Sequence, residues 1–228
     1  MKSNLMYTIS AAMAAIAAVT SCKIDNTPTY FSYMTAVKEQ PSNQDVSYLV
    51  TDDSTLVYPT EWPSGLSGMK HNQRLFATFS VPSGELGDRI EASFQSYGYV
   101  SEDSITVTSS PDTLGSDPVN LIEAWHSGGI YGAGRFVTLS FTISGVGYYR
   151  HSIALVDNTG SANPDAEGYW NLELRHNANN DPQAYLSQSV FSFPLSEKYT
   201  ASGIKGLKIS FTPLNSNTEK TFTIDYSE

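Results

Sequence analysis

Four histidines, one cysteine and 23 carboxylates are the side chains through which this 228-residue chain could do chemistry. Histidine comes first, because metal sites and general bases use it most often. His71, His126 and His151 have no ligating neighbour at i+2 or i+4, so none of them starts a metal-binding motif. His176 differs. Alternation over residues 169–177 places it on the face of Trp170, Leu172 and Leu174, and Asn177, Asn179, Asn180 and Asp181 follow directly. Side-chain oxygens of this kind hold calcium, so one reading is a small ion or ligand site built by His176 and Asp181. The simpler reading is a histidine that ties down a polar turn through backbone hydrogen bonds. His126, His151 and His176 are spaced evenly by 25 residues, but their flanks differ, so the spacing marks no repeat.

Nucleophilic chemistry finds little to work with. Ser67 lies in SGLSGMK, which lacks the first glycine of a nucleophile elbow. A glycosidase would need two carboxylates, for which Glu123, Glu173 and Asp181 are candidates, yet Glu173 and Arg175 share the polar face of one strand and read more simply as a charge pair. The glycine-rich run Ser127 to Gly134 falls between strands with no helix after it, which disfavours a phosphate loop. No metal or other cofactor is implied. Aromatic residues are the better argument for binding. Fourteen tyrosines include the pairs Tyr97/Tyr99 and Tyr148/Tyr149, and Tyr169 precedes Trp170. Rings such as Tyr148, Tyr149 and Trp170 stack on sugar faces when they sit at loop ends; tyrosine also bridges core and solvent in small β-domains.

The lone cysteine has a positional meaning. Residues 1–21 carry one charge, Lys2, then an alanine-rich apolar stretch from Leu5 to Val19 that is short for a membrane span. Val19, Thr20 and Ser21 before Cys22 resemble the bacterial lipobox, in which a peptidase cuts before a cysteine whose thiol carries diacylglycerol. The resemblance implies lipidation of Cys22, an amine acylated after cleavage, and permanent anchoring, since each buried CH2 contributes about 0.8 kcal/mol. Lys23 in place of the aspartate that retains such proteins in the inner membrane favours the outer membrane. Cleavage would remove Lys2 and no acid, making a chain of formal charge −10 slightly more acidic. An acidic surface repels phosphate backbones, so nucleic acid is not an expected partner. With a single cysteine there is no internal disulfide.

Everything after residue 29 reads as strands. Val137, Leu139, Phe141 and Ile143 alternate with Thr138, Ser140 and Thr142, which predicts a half-buried antiparallel strand. Leu75 to Val81, Ile90 to Phe94, Trp170 to Leu174, Leu207 to Phe211 and Phe222 to Tyr226 repeat the pattern, with Asn, Asp and Gly turns between them. The run Ser109 to Pro118, SSPDTLGSDP, is the composition break most like a linker. The expected plan is therefore a signal at 1–21, a lipidated tether at 22–29, a five-strand barrel domain at 30–110, a linker at 111–117 and a β-sandwich at 118–228. Asp53-Ser54-Thr55, Asp103-Ser104-Ile105 and Asp112-Thr113-Leu114 resemble the short motif that Bacteroidetes O-glycosylate, which makes Ser54, Ser104 and Thr113 candidate modification sites.

The lipobox, the five-strand first half, the proline and glycine break and the stretch YWNLELRHNANNDPQAYLSQSVFSFPL at Tyr169 to Leu195 together resemble the NigD-like lipoproteins of Bacteroidales. That resemblance implies an all-β chain, a small N-terminal OB-like barrel followed by a C-terminal β-sandwich, and a role of the immunity type. The expectation for function is a non-enzymatic, outer-membrane-anchored lipoprotein that meets an envelope protein or glycan. A carbohydrate-binding accessory protein is the alternative, and a hydrolase is third.

Overall fold

The computed structural model describes residues 27–227, which form strands and two short 3-10 turns. Cys22 and the recognition residues Val19, Thr20 and Ser21 lie outside the described residues. The first five strands are β1 (Thr29–Val37), β2 (Tyr48–Thr51), β3 (Leu56–Pro59), β4 (Arg74–Ser80) and β5 (Arg89–Tyr99). They close into a barrel in the order β1-β2-β3-β5-β4, with β3 and β5 the one parallel pair. Alternation does the sorting: Met34, Ala36, Leu75, Ala77, Phe79, Ile90 and Ala92 point inward, and the alanines among them leave room for a tight curl. The register of β4 against β5 shifts between Thr78 and Phe79, which adds the bend that closure needs. Leu66 and Met69, from the connection between β3 and β4, are fully buried and plug the barrel.

Nine further strands follow: β6 (Ser101–Glu102), β7 (Thr106–Thr108), β8 (Asn120–Ser127), β9 (Phe136–Gly145), β10 (Ser152–Asn158), β11 (Tyr169–Asn177), β12 (Tyr185–Pro194), β13 (Gly206–Phe211) and β14 (Lys220–Asp225). They make a five-stranded sheet, β14-β13-β11-β10-β7, over a four-stranded one, β6-β12-β9-β8. Leu139, Phe141, Leu155, Leu172, Phe193 and Ile209 fill the space between the sheets. The all-β plan, a barrel followed by a sandwich, is as the sequence predicts.

The boundary between the two is not where composition puts it. β6 pairs with β12 and β7 pairs with β10, so residues from Ser101 onward already belong to the sandwich rather than to a barrel domain ending at residue 110. The run from Ser109 to Pro118 is a packed crossing of the sandwich. Asp117 Oδ2 accepts the Ala178 N–H at 2.7 Å, and the His176 carbonyl accepts the Asp117 N–H at 2.9 Å. Gly115, at φ 102°, lies so near that carbonyl that a Cβ would stand 2.4 Å from it. Prolines and small residues here serve close packing, which a composition scan cannot separate from a linker.

β9 departs from expectation as well. Two of its three predicted polar residues are buried: Thr138 meets the barrel and Ser140 accepts from Gln188 Nε2, while Thr142 is half-buried. At the centre of this junction is Arg74, 0 % exposed, on the outward face of β4. Its guanidinium is bidentate to Asp52, with Nη1 and Nη2 at 2.5 and 2.7 Å from the two carboxylate oxygens. It also donates to Thr35 Oγ1 at 2.9 Å and reaches across to Thr138 Oγ1 at 3.2 Å and Ser192 Oγ at 3.3 Å. The Trp125 indole N–H completes the set by donating to Asp52 Oδ2 at 2.7 Å. A fully buried charge survives only when paired and hydrogen-bonded in this way. The glycine-rich run forms a second contact: the Gly134 N–H donates to Asn72 Oδ1 at 2.7 Å, and Ala133 packs with Val37 and Val50 of the barrel.

Candidate functional site

Two places on the surface combine aromatic groups with a rigid frame. The first is the loop after β9, which carries Tyr148 at 81 % exposure and Tyr149 beside it. Asp181 holds this loop. Its Oδ2 accepts the N–H groups of Val146 and Gly147, both at 2.8 Å, and its Oδ1 accepts that of Tyr148 at 3.0 Å. Successive N–H groups turned to one carboxylate make a nest, and Gly147 supplies the positive φ of 82° that the turn requires. His151 Nε2 is 3.1 Å from Asp181 Oδ2, His151 Nδ1 is 2.8 Å from His176 Nε2, and His176 Nδ1 is 2.9 Å from the Pro118 carbonyl.

Proton counting restricts this chain. A carbonyl only accepts, so His176 Nδ1 carries a proton; an ionised carboxylate only accepts, so His151 Nε2 carries another. The bond between the rings needs a third. Burial pushes the His176 ring below its usual pKa, against the pull of the Pro118 carbonyl. Burial also works to raise the Asp181 carboxyl, but the Gly147 N–H, His151 and the N–H groups of Tyr148 and Val146 outweigh it and hold the group below the carboxylate range. Gly145 allows the approach, since a Cβ there would lie 2.4 Å from Asp181 Oδ2. The rings face each other at hydrogen-bond distance, and no group of three or more metal-ligating side chains able to hold an ion occurs among the described residues.

The second place is the junction groove, an open space of about 470 Å³ between the barrel and β12. Tyr33, Phe76 and Tyr99 line its barrel side, and Gln188, Val190 and Phe191 its sandwich side. Phe31 continues the rings along β1, with its centroid 5.4 Å from Tyr33 and 6.0 Å from Phe76. Tyr33 in turn lies 5.2 Å from Trp125. Phe31, Phe76 and Tyr99 are exposed although large and apolar. Phe76 lies over Gly98, where a Cβ would stand 2.5 Å from its ring, so the glycine makes the seat for the aromatic. Burial raises the Tyr33 hydroxyl pKa, and the nearby carboxylates of Asp52 and Glu123 raise it further against the pull of Arg74.

The sequence-predicted residues divide between these places. His176 and Asp181 do come together, through His151, and they brace the loop that presents Tyr148 and Tyr149. Trp170 does not join them. It sits near the other end of β11 from His176, about 20 Å away along an extended strand, partly buried edge-on to Tyr199 with centroids 5.3 Å apart. Glu173 accepts from Arg175 and from Asn158 Nδ2, the expected charge pair. Ser54, Ser104 and Thr113 are all exposed in turns or just beside them. Of the groove aromatics only Tyr99 stood out in the sequence; Phe31, Tyr33 and Phe76 were missed, though a signal existed for two of them: Phe31 and Tyr33 alternate with the inward Tyr30 and Met34, so both rings had to face outward.

Residues 103–226 match the family described as the NigD-like C-terminal beta sandwich domain. No curated protein matches the chain. Solved structures do. A protein of unknown function from Bacteroides vulgatus superposes with a TM-score of 0.70 at 24% identity, over 87% of this chain and 91% of its own. A candidate lipoprotein from Bacteroides fragilis gives 0.62 at 13% identity, over 87% of this chain and 98% of its own. A NigD-like immunity protein from Bacteroides caccae gives 0.58 at 16% identity, over 88% and 94%. At these identities the likeness carries the fold, barrel and sandwich together. The family match begins directly after β6 and spans more than half the sequence, and on that ground this chain belongs to the NigD-like family.

Proposed function

We propose that this chain is an outer-membrane lipoprotein, anchored through Cys22, that acts without catalysis by engaging an envelope partner in a protective or immunity-type role. One observation carries the reading: the polar side chains that chemistry would use are committed to holding the structure, while Phe31, Phe76 and Tyr99 of the junction groove stay exposed although large and apolar. Asp181, His151 and His176 complete a loop brace, and Asp52 and Arg74 complete the domain junction. The similarity to proteins described as a candidate lipoprotein and an immunity protein supports the same reading.

The anchor is tested by feeding cells labelled palmitate: label on the wild-type chain and none on Cys22→Ala is expected, and label on both would refute lipidation at this cysteine. The role is tested by deleting the gene and challenging with bacteriocins from neighbouring strains. Increased sensitivity is expected; unchanged survival across the panel would remove the immunity reading. A carbohydrate-binding role is the second reading, favoured by the exposure of Tyr148 and Tyr149 on a braced loop. A glycan array in which Tyr148→Ala and Tyr149→Ala abolish a signal would support it, and an array with no signal would exclude it.

A further inference from the structure

β12 is an edge that its own sheet leaves open. On one side it pairs with β9 along its whole length, from Tyr185 opposite Gly145 to Pro194 opposite Phe136. On the other side its only strand neighbour among the described residues is the two-residue β6, which covers Phe191 and Ser192. The reason is the domain boundary: residues that would continue β6 backward along β12 are those of β5, and they bend away into the barrel. Tyr185 to Val190, about 17 Å of strand, therefore has no strand beside it.

Natural sheets guard such edges with lysine, proline, bulges or brevity. The other sandwich edges do so: β7 has three residues, β8 has a register shift beside Glu123, and β14 carries Lys220 and Asp225. β12 has no bulge against β9, and no charged residue occurs from Gln183 to Ser196. Apolar groups stand exposed at both ends of the open stretch. Tyr185 and Leu186, at 74 % and 70 %, lie at one end, where β9 runs into the Tyr148 loop. The groove lined by Tyr33, Phe76 and Tyr99 lies at the other.

We propose that the β12 edge from Tyr185 to Val190 docks an extended, net-basic polypeptide segment of a partner protein, which adds as a strand in line with β6 and lays alternate side chains against the groove aromatics. Main-chain hydrogen bonds would supply affinity, and the groove would select the side chains. Basic character follows from charge: the chain carries −10 overall, Glu102 and Glu123 stand at the groove end, and of the cations Arg74 and Lys70 that act on Glu102 the first is neutralised by Asp52. The same acidity argues against a second copy as the occupant. The inference rests on the binding role proposed above and names its partner class.

The test uses the full-length lipidated protein in detergent and three ten-residue peptides: one alternating lysine with valine and tyrosine, one with glutamate for each lysine, and the first N-methylated at alternate amides. We expect the basic peptide to bind at least about tenfold more tightly than either of the others. Amide hydrogen exchange over Tyr185 to Val190 should slow when it binds. Leu186→Lys, which installs an edge guard at a position 70 % exposed, should weaken binding at least about tenfold while leaving Tm unchanged; Phe76→Ala should weaken it too. Equal binding of the N-methylated peptide, protection elsewhere but not on β12, or self-association through this edge in sedimentation would overturn the proposal. Because binding is read on purified protein, it stands apart from the deletion phenotype: sensitised deletants rescued fully by Leu186→Lys would refute the edge and keep the immunity role.

Discussion

The Arg74 junction and the Asp181 loop each bury a carboxylate, yet they do different work. Asp52 faces a permanent cation, and the bonds around Arg74 join residues as far apart as Thr35 and Ser192, so the pair locks one domain to the other. Asp181 faces three backbone N–H groups and His151, all from the one loop after β9, so it shapes a loop. The contrast shows how the same group sets rigidity on two scales. Where its partner is a fully buried guanidinium at the domain junction, loss of the carboxylate strands a buried charge; where its partners are mainly backbone amides of an exposed loop, water can replace it in part.

That difference ranks the following expectations. Arg74→Ala leaves Asp52 unpaired at the junction and should cost about 3–5 kcal/mol, read as a loss of cooperativity or a lowered midpoint in urea unfolding. The double variant Arg74→Met, Asp52→Leu should recover most of that loss; no recovery would mean that the hydrogen bonds to Thr35, Thr138 and Trp125 matter more than the charge. Asp181→Ala should lower Tm by roughly 5 °C and speed hydrogen exchange at Val146 to Tyr148, leaving the junction amides unchanged.

Acid should act on both regions. Burial pushes His126 and His176 below the usual histidine pKa, so below about pH 6.5 the unfolded chain binds more protons than the folded one and stability falls as pH drops. Above that range the two histidines contribute no slope. In thermal unfolding between pH 7 and 5, His126→Gln should flatten the slope with little change at pH 7, whereas His176→Gln should flatten it and lower Tm throughout, because it also breaks the bonds to His151 and Pro118. The smallest effect belongs to Tyr148→Ala, expected to change stability by no more than about 0.5 kcal/mol; a larger loss would make this exposed ring part of the frame.

Much of this was legible in sequence because period-two alternation is local. Val137 to Ile143 and Leu75 to Val81 announced their strands and their inward faces. The inward face of His176 was readable, since it follows from the same alternation. Its partner His151 was not, because the link depends on the hairpin register that sets Ile153 opposite His176. Arg74 was invisible for a related reason: a charged residue on the outward face of a barrel strand normally meets water, and only the docking of β9 and β12 over that face buries it. The linker at Ser109 to Pro118 failed as a boundary because small residues and prolines mark close packing as well as flexible chain.

By itself the sequence determined the strands, their inward faces, the barrel-then-sandwich order and a lipobox-like cysteine, all of which follow from residue type and short spacing. Tertiary structure alone decided what the outward faces meet. β5 turning into the barrel bares the β12 edge, and the barrel settling on the sandwich converts an outward arginine into the central bond of the molecule. Such contacts join residues up to 118 positions apart, and no local pattern of types encodes which two faces will be brought together.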